Sequence, residues 1–432
     1  MPSGAARDLG VDVLIIGSGL QAAYLADALH PRFSILVVDD PTLPVDDLDG
    51  DGRFGAGYDG NDVARIQPAR RAAAYWGLWA RQQGLAEIGR SHVRVLDDDV
   101  VASTTARWTA ATLPFAPLAA LPSVLDGGSL VGRGAFATPA DVVLDPGEVL
   151  ERLRAGTASR WVRAEIGHFG LFSDEVIDNV DLDVAGEPVP VVPRFVVVAA
   201  EAGNAEVLGR LANRLRDPAR RRRAKDEVQR CQAAVSQQVV ALRGELPLVS
   251  GSVEDLSITS HPVTGGEVVW LVSPPADPRR TVLGPVDGRF RVPVDDESVA
   301  DVVERLLSAS PHLFRHAHRL SWTAWGRRRA LHPMVAEGGE IGRPVPARLD
   351  AFGLESFLAL WPSHPAFTMV LGDVAAERIA DELGTSADFS AGREPQDLVE
   401  DVPARRVSRW RDPATEWSTW EAFAEAHDIK LA

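Results

Sequence analysis

Six consecutive residues, Gly17-Ser18-Gly19-Leu20-Gln21-Ala22, have the spacing that indicates the most specific chemistry in this sequence. In a G-x-G-x-x-A turn the first glycine permits a sharp bend, and the second has no side chain to block an approaching diphosphate. The small third residue lets the following helix lie close to the strand, so that backbone N–H groups at the helix start face the phosphates. Asp39 and Asp40 follow about twenty residues later, where such a unit places the acid that accepts hydrogen bonds from a ribose hydroxyl. The pattern predicts a dinucleotide site.

A strand, a helix and a second strand must position these residues. The apolar run from Val11 to Ile16 predicts a buried strand, and apolar residues recur at helical spacing from Ala22 to Leu29. The segment 34–38 predicts the second strand, which ends at the two aspartates. The same glycines would also suit a strand-turn-helix unit that binds no ligand, so both interpretations of the turn stay open at this point.

The composition is that of an ordinary globular protein, with 432 residues, 45% of them hydrophobic, and enough length for two domains that could be interleaved. A formal net charge of −16 repels nucleic-acid backbones and anionic lipid, so we expect no nucleic-acid partner and no membrane insertion. The single cysteine, Cys231, excludes an internal disulfide, and with scattered histidines it argues against a metal site. The first ten residues lack the apolar core of a signal peptide, and we expect a cytoplasmic protein.

Further strands are predicted along the chain. Residues 41–62 are a loop by composition, and Ala64-Arg65-Ile66 follows that loop. Short strands are predicted at 92–96 and 100–104, and alternating strands between 233 and 273 indicate a second, largely antiparallel sheet. The segment 195–200 is apolar on both faces, as in the interior of a parallel sheet, so it returns to the first domain.

A closing unit is predicted near the end of the chain. A strand runs from Glu355 to Trp361, a Pro-Ser-His-Pro loop contains His364, and a helix extends from Met369 to Leu383. Two prolines therefore fix the loop that presents this histidine.

Four segments in this order resemble the FAD-dependent oxidoreductases of the D-amino acid oxidase, sarcosine oxidase and glycerol-3-phosphate dehydrogenase type. They are GSGLQA with Asp39, Ala64-Arg65-Ile66, FVVVAAEAGNAEVL and LWPSHPAFTMVLGDVAAERIADEL. The resemblance implies an α/β chain in which a Rossmann-like FAD-binding domain is interleaved with a mixed, largely antiparallel β-sheet substrate domain. It assigns residues 10–84, 142–232 and 330–385 to the first domain, 85–141 and 233–329 to the second, and 386–432 to a C-terminal surface tail.

The resemblance also implies which residues contact FAD. Val162 and Arg163 would lie beside the adenine. A helix start at Ala366–Met369, near the pyrimidine end of the flavin, would stabilise negative charge on the reduced ring. The full set that it places at the cofactor is Gly17, Ser18, Gly19, Leu20, Gln21, Ala22, Asp39, Asp40, Ala64, Arg65, Val162, Arg163, Ala200, Gly203, Ala366, Phe367, Thr368 and Met369.

The reaction implied by the resemblance is hydride removal from a carbon that bears an amine or a hydroxyl. The substrate class is then a small amine, amino acid or hydroxy acid, of the kind handled in specialised metabolism. His364, Arg65 and Arg327 are the candidate catalytic residues, since planar guanidinium groups can clamp a substrate carboxylate. The sequence does not indicate an oligomeric state.

Two features depart from the family pattern. Glu201 stands where the family has glycine, and we expect its carboxylate to turn away from the phosphates or to pair with an arginine. The two lysines of the sequence, Lys225 and Lys430, are not placed to lie over a flavin, as a lysine does in family members that react with oxygen. A histidine, His332 or His364, or an arginine would then supply the positive charge.

Two alternative functions stay open. Leu371-Gly372-Asp373 superficially resembles the Gly-Asp motif of aromatic hydroxylases, which suggests a flavin monooxygenase. Glu201 and the missing lysine suggest a degenerate homologue that binds FAD without catalysis.

Overall fold

The computed structural model divides into two compact units, each made of three separate chain segments. Unit 1 takes residues 1–46, 147–234 and 332–406, and unit 2 takes residues 47–146, 235–331 and 407–432. The residues that the structure describes are 8–43, 53–58, 63–85, 91–119, 133–173, 175–231, 235–243, 256–261, 269–272, 280–285, 324–332, 347–350, 353–362, 365–387, 417–418, 422 and 425–426.

The helices and strands of these residues are numbered in chain order. The α-helices are α1 (Leu20–Leu29), α2 (Val63–Gln83), α3 (Asp98–Ala110), α4 (Pro146–Ala155), α5 (Asn204–Ala212), α6 (Pro218–Cys231) and α7 (Thr368–Leu383). Short 3-10 turns lie at Ala158–Arg160, Glu201–Gly203 and Pro365–Phe367. The strands are β1 (Leu9–Ile16), β2 (Ile35–Asp39), β3 (Arg53–Phe54), β4 (Ser91–Asp97), β5 (Ala116–Leu118), β6 (Arg133–Ala137), β7 (Val142–Val143), β8 (Trp161–Arg163), β9 (Glu165–Ser173), β10 (Val176–Val184), β11 (Glu187–Val198), β12 (Val235–Arg243), β13 (Leu256–His261), β14 (Val269–Val272), β15 (Arg280–Pro285), β16 (Ala324–His332), β17 (Ala347–Asp350), β18 (Phe357–Pro362) and β19 (Trp417–Ser418).

The sheet of unit 1 is built around β1, which pairs in parallel with β11 on one side and β2 on the other. The strand order is β17-β18-β11-β1-β2-β8, in which β17 runs antiparallel to β18. Strands β9 and β10 form an antiparallel meander with the first half of β11. The strand-turn-helix-strand unit predicted from the glycine motif is confirmed, and it lies at the centre of a Rossmann-like sheet.

Two layers cover this sheet. The core on one face joins the parallel strands to the meander and to α5, with Leu14, Val38, Phe169 and Leu208 among its fully packed side chains. Helix α1 packs against α7, and its residues from Leu20 to Ala26 are all buried. Central strands buried on both faces are mostly apolar. β1 and β2 contain one charged residue each, Asp12 and Asp39, and could still be recognised from the sequence.

Unit 2 contains a nine-stranded sheet in the order β19-β16-β12-β15-β14-β13-β4-β6-β5. Its strand pairs are mostly antiparallel, as in β12 with β15 and β4 with β6, while β13 and β4 are parallel. The predicted mixed, largely antiparallel second sheet is therefore present. A short part of the predicted surface tail takes part in this sheet, because β19 pairs with β16.

Residues 47–84 belong to unit 2, whereas the sequence interpretation grouped them with the FAD-binding segments. Helix α2 packs against α3 and β7. Tyr58, Ile66 and Ala73 share a buried cluster with Leu96 and Trp108. The segment is held by apolar contacts to later residues, and the loop-like composition of residues 41–62 gave no sign of them.

The predicted strand at 100–104 is wrong, because these residues lie within α3. Asp98 and Asp99 stand in the first turn of this helix, where negative charge is favourable. Thr104 and Trp108 are buried one turn apart on the same face. Packing of that face overrides the strand propensity of the β-branched residues at its start.

Candidate functional site

The glycine turn lies at the carboxyl edge of the unit 1 sheet. Ile16, the last residue of β1, is in register with Val38 of β2 and Val198 of β11. The next residue, Gly17, has φ of +141° and donates its N–H to the Val38 carbonyl over 2.9 Å. An added Cβ at Gly17 would lie 2.2 Å from the carbonyl oxygen of Ala199. Glycine is therefore required here by the close approach of the backbone after β11.

Helix α1 begins at the second glycine without a cap from its own segment. Gly19 is the N-cap residue and offers no side chain, and the first turn contains no acidic residue. A helix start leaves several backbone N–H groups without partners inside the helix. One of these, the N–H of Gln21, donates a hydrogen bond of 3.2 Å to Oε1 of Glu201.

The Glu201 carboxylate lies against Gly19. An added Cβ on Gly19 would lie 2.3 Å from Oε2 and 2.6 Å from Oε1 of Glu201. Glu201 is only 8% exposed. The carboxylate therefore does not turn outward, which was one of the two expected arrangements, and it points into the space that the second glycine leaves open.

The backbone around Glu201 explains how the side chain reaches the turn. Glu201 follows β11 and has φ of +54°, in the left-handed region that glycine adopts most easily. The Ala200 N–H donates to Oδ1 of Asn204 over 2.7 Å, and Nδ2 of Asn204 donates to the Leu360 carbonyl over 2.6 Å. The buried Asn204 amide thereby ties the end of β11 to β18 and holds the segment beside the glycine turn.

The two aspartates after β2 have different environments. Asp39 ends the strand, is 3% exposed, and is in register with Arg163 of β8. The Asp40 carboxylate accepts hydrogen bonds from protein groups on both oxygens: Oδ1 from the backbone and hydroxyl of Thr42, Oδ2 from the Ile166 N–H and from Arg210. Asp40 therefore joins β2 to β9 and α5.

The start of α7 lies beside the start of α1. Nε2 of Gln21 donates a hydrogen bond of 3.2 Å to the Thr368 carbonyl. Gln21 is fully buried, and its Oε1 atom has no hydrogen-bond partner in the part of the chain that the structure describes. Ala366, Phe367, Thr368 and Met369 are all buried as well. The structure thus brings together two segments that the sequence interpretation placed at one cofactor.

The remaining predicted site residues lie in several parts of the structure. Val162 and Arg163 form the end of β8 next to Asp39, and Ala200 and Gly203 flank Glu201. Ala64 and Arg65 lie in the first turn of α2, and Arg327 lies in β16, all three in unit 2. His364 lies outside the described residues.

Sequence reasoning flagged Glu201 as a departure but did not include it among the site residues. The signal was a glutamate at a position where the family has glycine, immediately after an apolar strand. Its inward direction depends on a partner 180 positions away in the chain. No local pattern could have indicated that contact.

The described residues contain no group of three or more His, Cys, Asp or Glu side chains that could hold a metal ion. Within the same residues, none of the helices combines the length and the apolar character needed to cross a membrane.

The chain was compared with known proteins by sequence and by structure. No protein-family model matches the sequence, and no curated protein matches it either. Solved structures do match the fold. An FAD-dependent oxidoreductase from Pseudomonas aeruginosa aligns with a TM-score of 0.61 at 16% identity, covering 91% of this chain and 96% of that one.

Two other solved structures align over similar lengths. Glycine oxidase from Geobacillus kaustophilus gives a TM-score of 0.56 at 15% identity, covering 91% of this chain and 99% of that one. L-proline dehydrogenase from P. horikoshii gives a TM-score of 0.60 at 12% identity, covering 90% of this chain and 95% of that one. Identities this low carry the fold and not the activity. The chain therefore has the fold of the FAD-dependent oxidoreductases of the D-amino acid oxidase, glycine oxidase and sarcosine oxidase type.

Proposed function

We propose that this protein is an FAD-dependent oxidoreductase that removes a hydride from a C–N or C–O bond of a small amine, amino acid or hydroxy acid. The observation that carries the proposal is the meeting of three features at the carboxyl ends of the parallel strands of unit 1. They are the Gly17–Gly19 turn at the start of α1, Asp39 at the end of β2, and the start of α7 in contact with Gln21. Ligands of open α/β sheets bind at this edge.

The backbone of this site suits FAD, whereas one side chain, that of Glu201, obstructs it. The turn, the uncapped start of α1 and the acid after β2 suit a dinucleotide. The Glu201 carboxylate does not suit a diphosphate in its present position, since it lies 2.3 Å from where a Gly19 Cβ would be. It is the end of a long flexible side chain, so a rotation about its own bonds can clear the turn without moving the backbone.

Different residues of unit 1 would then bind different parts of FAD. Backbone N–H groups at Gly19 to Ala22 would bind the diphosphate, and Asp39 would accept hydrogen bonds from the adenosine ribose. The start of α7 at Thr368 would favour negative charge on the ring system. When bound, FAD supplies the hydride acceptor that no amino-acid side chain provides.

The substrate residues are proposed from the sequence. A guanidinium from Arg65 or Arg327 would bind a substrate carboxylate in a bidentate manner. His364 would hold or accept a proton near the substrate amine or hydroxyl. Solved structures of the same fold include glycine oxidase, L-proline dehydrogenase and iminodiacetate oxidase, which supports amines with a carboxylate as the first substrates to test.

The test has a binding step and a redox step. Purified protein is titrated with FAD while flavin fluorescence and the visible spectrum are recorded. The FAD complex is then mixed anaerobically with glycine, proline, iminodiacetate and small hydroxy acids. We expect saturable binding and loss of the oxidised flavin absorbance with at least one amine. Absence of FAD binding in the wild type and in a variant without the Glu201 side chain would refute the proposal.

A homologue that binds FAD without turnover is the second candidate function. Glu201 supports it, because a buried carboxylate at the turn weakens diphosphate binding by charge repulsion. The two candidates differ in the anaerobic step. A protein that binds FAD but is reduced by dithionite and by none of the substrates would favour the non-catalytic candidate.

A further inference from the structure

The Glu201 carboxylate occupies the space, and binds the N–H group, that a diphosphate at the turn would use. It lies in the space beside Gly19, and it accepts the Gln21 N–H at the start of α1. We infer that Glu201 is an internal anion that competes with the cofactor diphosphate, so that FAD binds only when the Glu201 side chain leaves the turn. This inference rests on the proposed function, and it adds a residue that sets cofactor affinity.

Competition follows from charge and space. An N–H group at a helix start that donates to a carboxylate oxygen is not available to a phosphate oxygen. Two anions held at one helix start in a buried site also repel each other, because little water screens them there. Either the carboxylate or the diphosphate therefore occupies the turn.

The backbone conformation of Glu201 is consistent with a function of this side chain. At φ of +54°, a residue with a Cβ is strained where glycine is not. Glycine at this position would relieve the strain and would also empty the turn. A glutamate therefore stands where the backbone itself favours glycine, and its carboxylate makes the contact that glycine could not.

Displacement of the carboxylate should be reversible, because it requires only rotation about the side-chain bonds of Glu201. The atoms near the hypothetical Gly19 Cβ are the outermost atoms of Glu201, whereas those near a Gly17 Cβ belong to the Ala199 and Ala200 backbone. The first obstacle can move by side-chain rotation, and the second cannot. A diphosphate that binds tightly enough can thus displace Glu201 while the sheet and α1 keep their places.

A purely structural role makes a different prediction. Glu201 could serve only as a distant cap for α1, because Gly19 provides no side-chain cap. Loss of a cap would lower the stability of the unliganded protein and leave nucleotide affinity unchanged. Competition instead predicts that loss of the carboxylate raises affinity for ligands that contain a diphosphate, and for those alone.

Glu201→Gly and Glu201→Gln are the matched variants. Glycine suits φ of +54° and removes the side chain, while glutamine keeps its size and its acceptor oxygen without the charge. Dissociation constants of FAD, ADP and adenosine are measured by calorimetry for both variants and the wild type. Thermal unfolding of the unliganded proteins reports the folding of each variant.

We expect Glu201→Gly to bind ADP and FAD about tenfold or more tightly than the wild type, with Glu201→Gln between them. Adenosine affinity should not change, because adenosine has no phosphate. Most of the gain for ADP should persist at 1 M salt, because charges in a buried site are screened much less than surface charges. Equal ADP and FAD affinities in the wild type and Glu201→Gly would overturn the inference, even if the FAD proposal stands.

The remaining outcomes separate the inference from the proposed function. If Glu201→Gly gains affinity for ADP and neither protein binds FAD, the competition by Glu201 is supported and the FAD proposal fails. If no variant binds ADP or FAD, both fail. If the variants differ in thermal stability but share one ADP affinity, Glu201 is a helix cap and the inference is overturned.

Discussion

The phenol oxygen of Tyr24 donates a hydrogen bond to Oδ1 of Asp373, with 2.6 Å between the two atoms. This bond joins α1, which follows the glycine turn, to α7, which closes the sheet. Gly372 permits the approach, since an added Cβ there would lie 2.4 Å from Cδ1 of Tyr24. Helix packing therefore accounts for the Gly-Asp pair at 372–373, and the feature that suggested a monooxygenase has a structural explanation.

Gly372→Ala should destabilise unit 1. The new methyl group would overlap the Tyr24 ring. The shifts needed to avoid this overlap should lower the free energy of unfolding by about 2 kcal/mol. Gly209→Ala is the matched control, because it is also within a helix and has nothing within 4 Å of its added Cβ. That control should be neutral or stabilising by up to about 1 kcal/mol. Urea unfolding of both variants checks this, and equal effects would contradict the packing explanation.

The parts of the fold that sequence predicted well are those with a strong local period. The run from Val11 to Leu29 changes once from a strand pattern to a helix pattern. The helix predicted from Met369 to Leu383 begins one residue earlier in the structure, at Thr368. The features that the sequence did not indicate depend on distant contacts. Residues 100–104 form a helix because Trp108 packs inward, and residues 47–84 join unit 2 through the Tyr58 and Ile66 cluster.

The candidate site was predictable to a similar extent. The glycine spacing and Asp39 followed from known requirements of a dinucleotide turn. The direction of Glu201 could not be derived, because a side chain with three rotatable bonds takes its rotamer from its surroundings. The contacts of Asp40 could not be derived for the same reason, because Arg210, which binds Asp40, comes 170 positions later.

Gly17→Ala should destabilise the protein more than Gly19→Ala. At Gly17 the added Cβ would lie 2.2 Å from a backbone oxygen, and φ of +141° is unfavourable for alanine. Such combined strain and overlap costs about 3 kcal/mol or more. At Gly19 the obstacle is the movable end of Glu201, so the loss should be near 1 kcal/mol. Thermal and urea unfolding compare the two, and an equal or reversed order would refute this reading of the turn.

Asp39→Asn and Asp40→Asn should separate ligand binding from stability. Asp40→Asn weakens the bonds to Arg210 and to the Ile166 N–H, so we expect a loss of about 1–3 kcal/mol of unfolding free energy. Asp39→Asn should instead weaken FAD binding about tenfold, since a carboxylate accepts ribose hydroxyl bonds better than an amide. Calorimetric titration with FAD and urea unfolding are run on both. A larger loss of FAD affinity in Asp40→Asn would reverse the assignment.

Asp12 should make the stability of unit 1 depend on pH. Burial raises the pKa of Asp12, but hydrogen bonds from Ser386, Ala387, Arg194 and Ser34 lower it more, and the pKa lies below its usual value. The stabilisation is present above the unfolded-state pKa of about 4 and is lost as pH falls through the lower native pKa.

The test of this carboxylate uses Asp12→Asn, which cannot titrate. At pH 7 the free energy of unfolding of the wild type should be about 2 kcal/mol larger than that of Asp12→Asn. The variant loses the charge-assisted hydrogen bonds from Arg194 and from the Ala387 N–H. Urea unfolding at pH 7, 5, 4 and 3 should show the gap closing only at the acidic end. A gap that stays constant down to pH 3 would mean that the Asp12 carboxylate is not the group responsible.

Gly19→Ala and Glu201→Gly should interact strongly, because each change acts on the same small volume beside the start of α1. In the wild type the new Cβ expels the Glu201 carboxylate, whereas in Glu201→Gly there is no carboxylate to expel. The stability effects should therefore be non-additive, with a coupling of about 1 kcal/mol.

FAD binding should behave differently, since a Cβ at position 19 blocks the diphosphate in either background. Glu201→Gly with Gly19→Ala should bind FAD at least about tenfold more weakly than Glu201→Gly alone. If that double variant keeps its FAD affinity, the space beside Gly19 accommodates Glu201 and is not where the diphosphate binds.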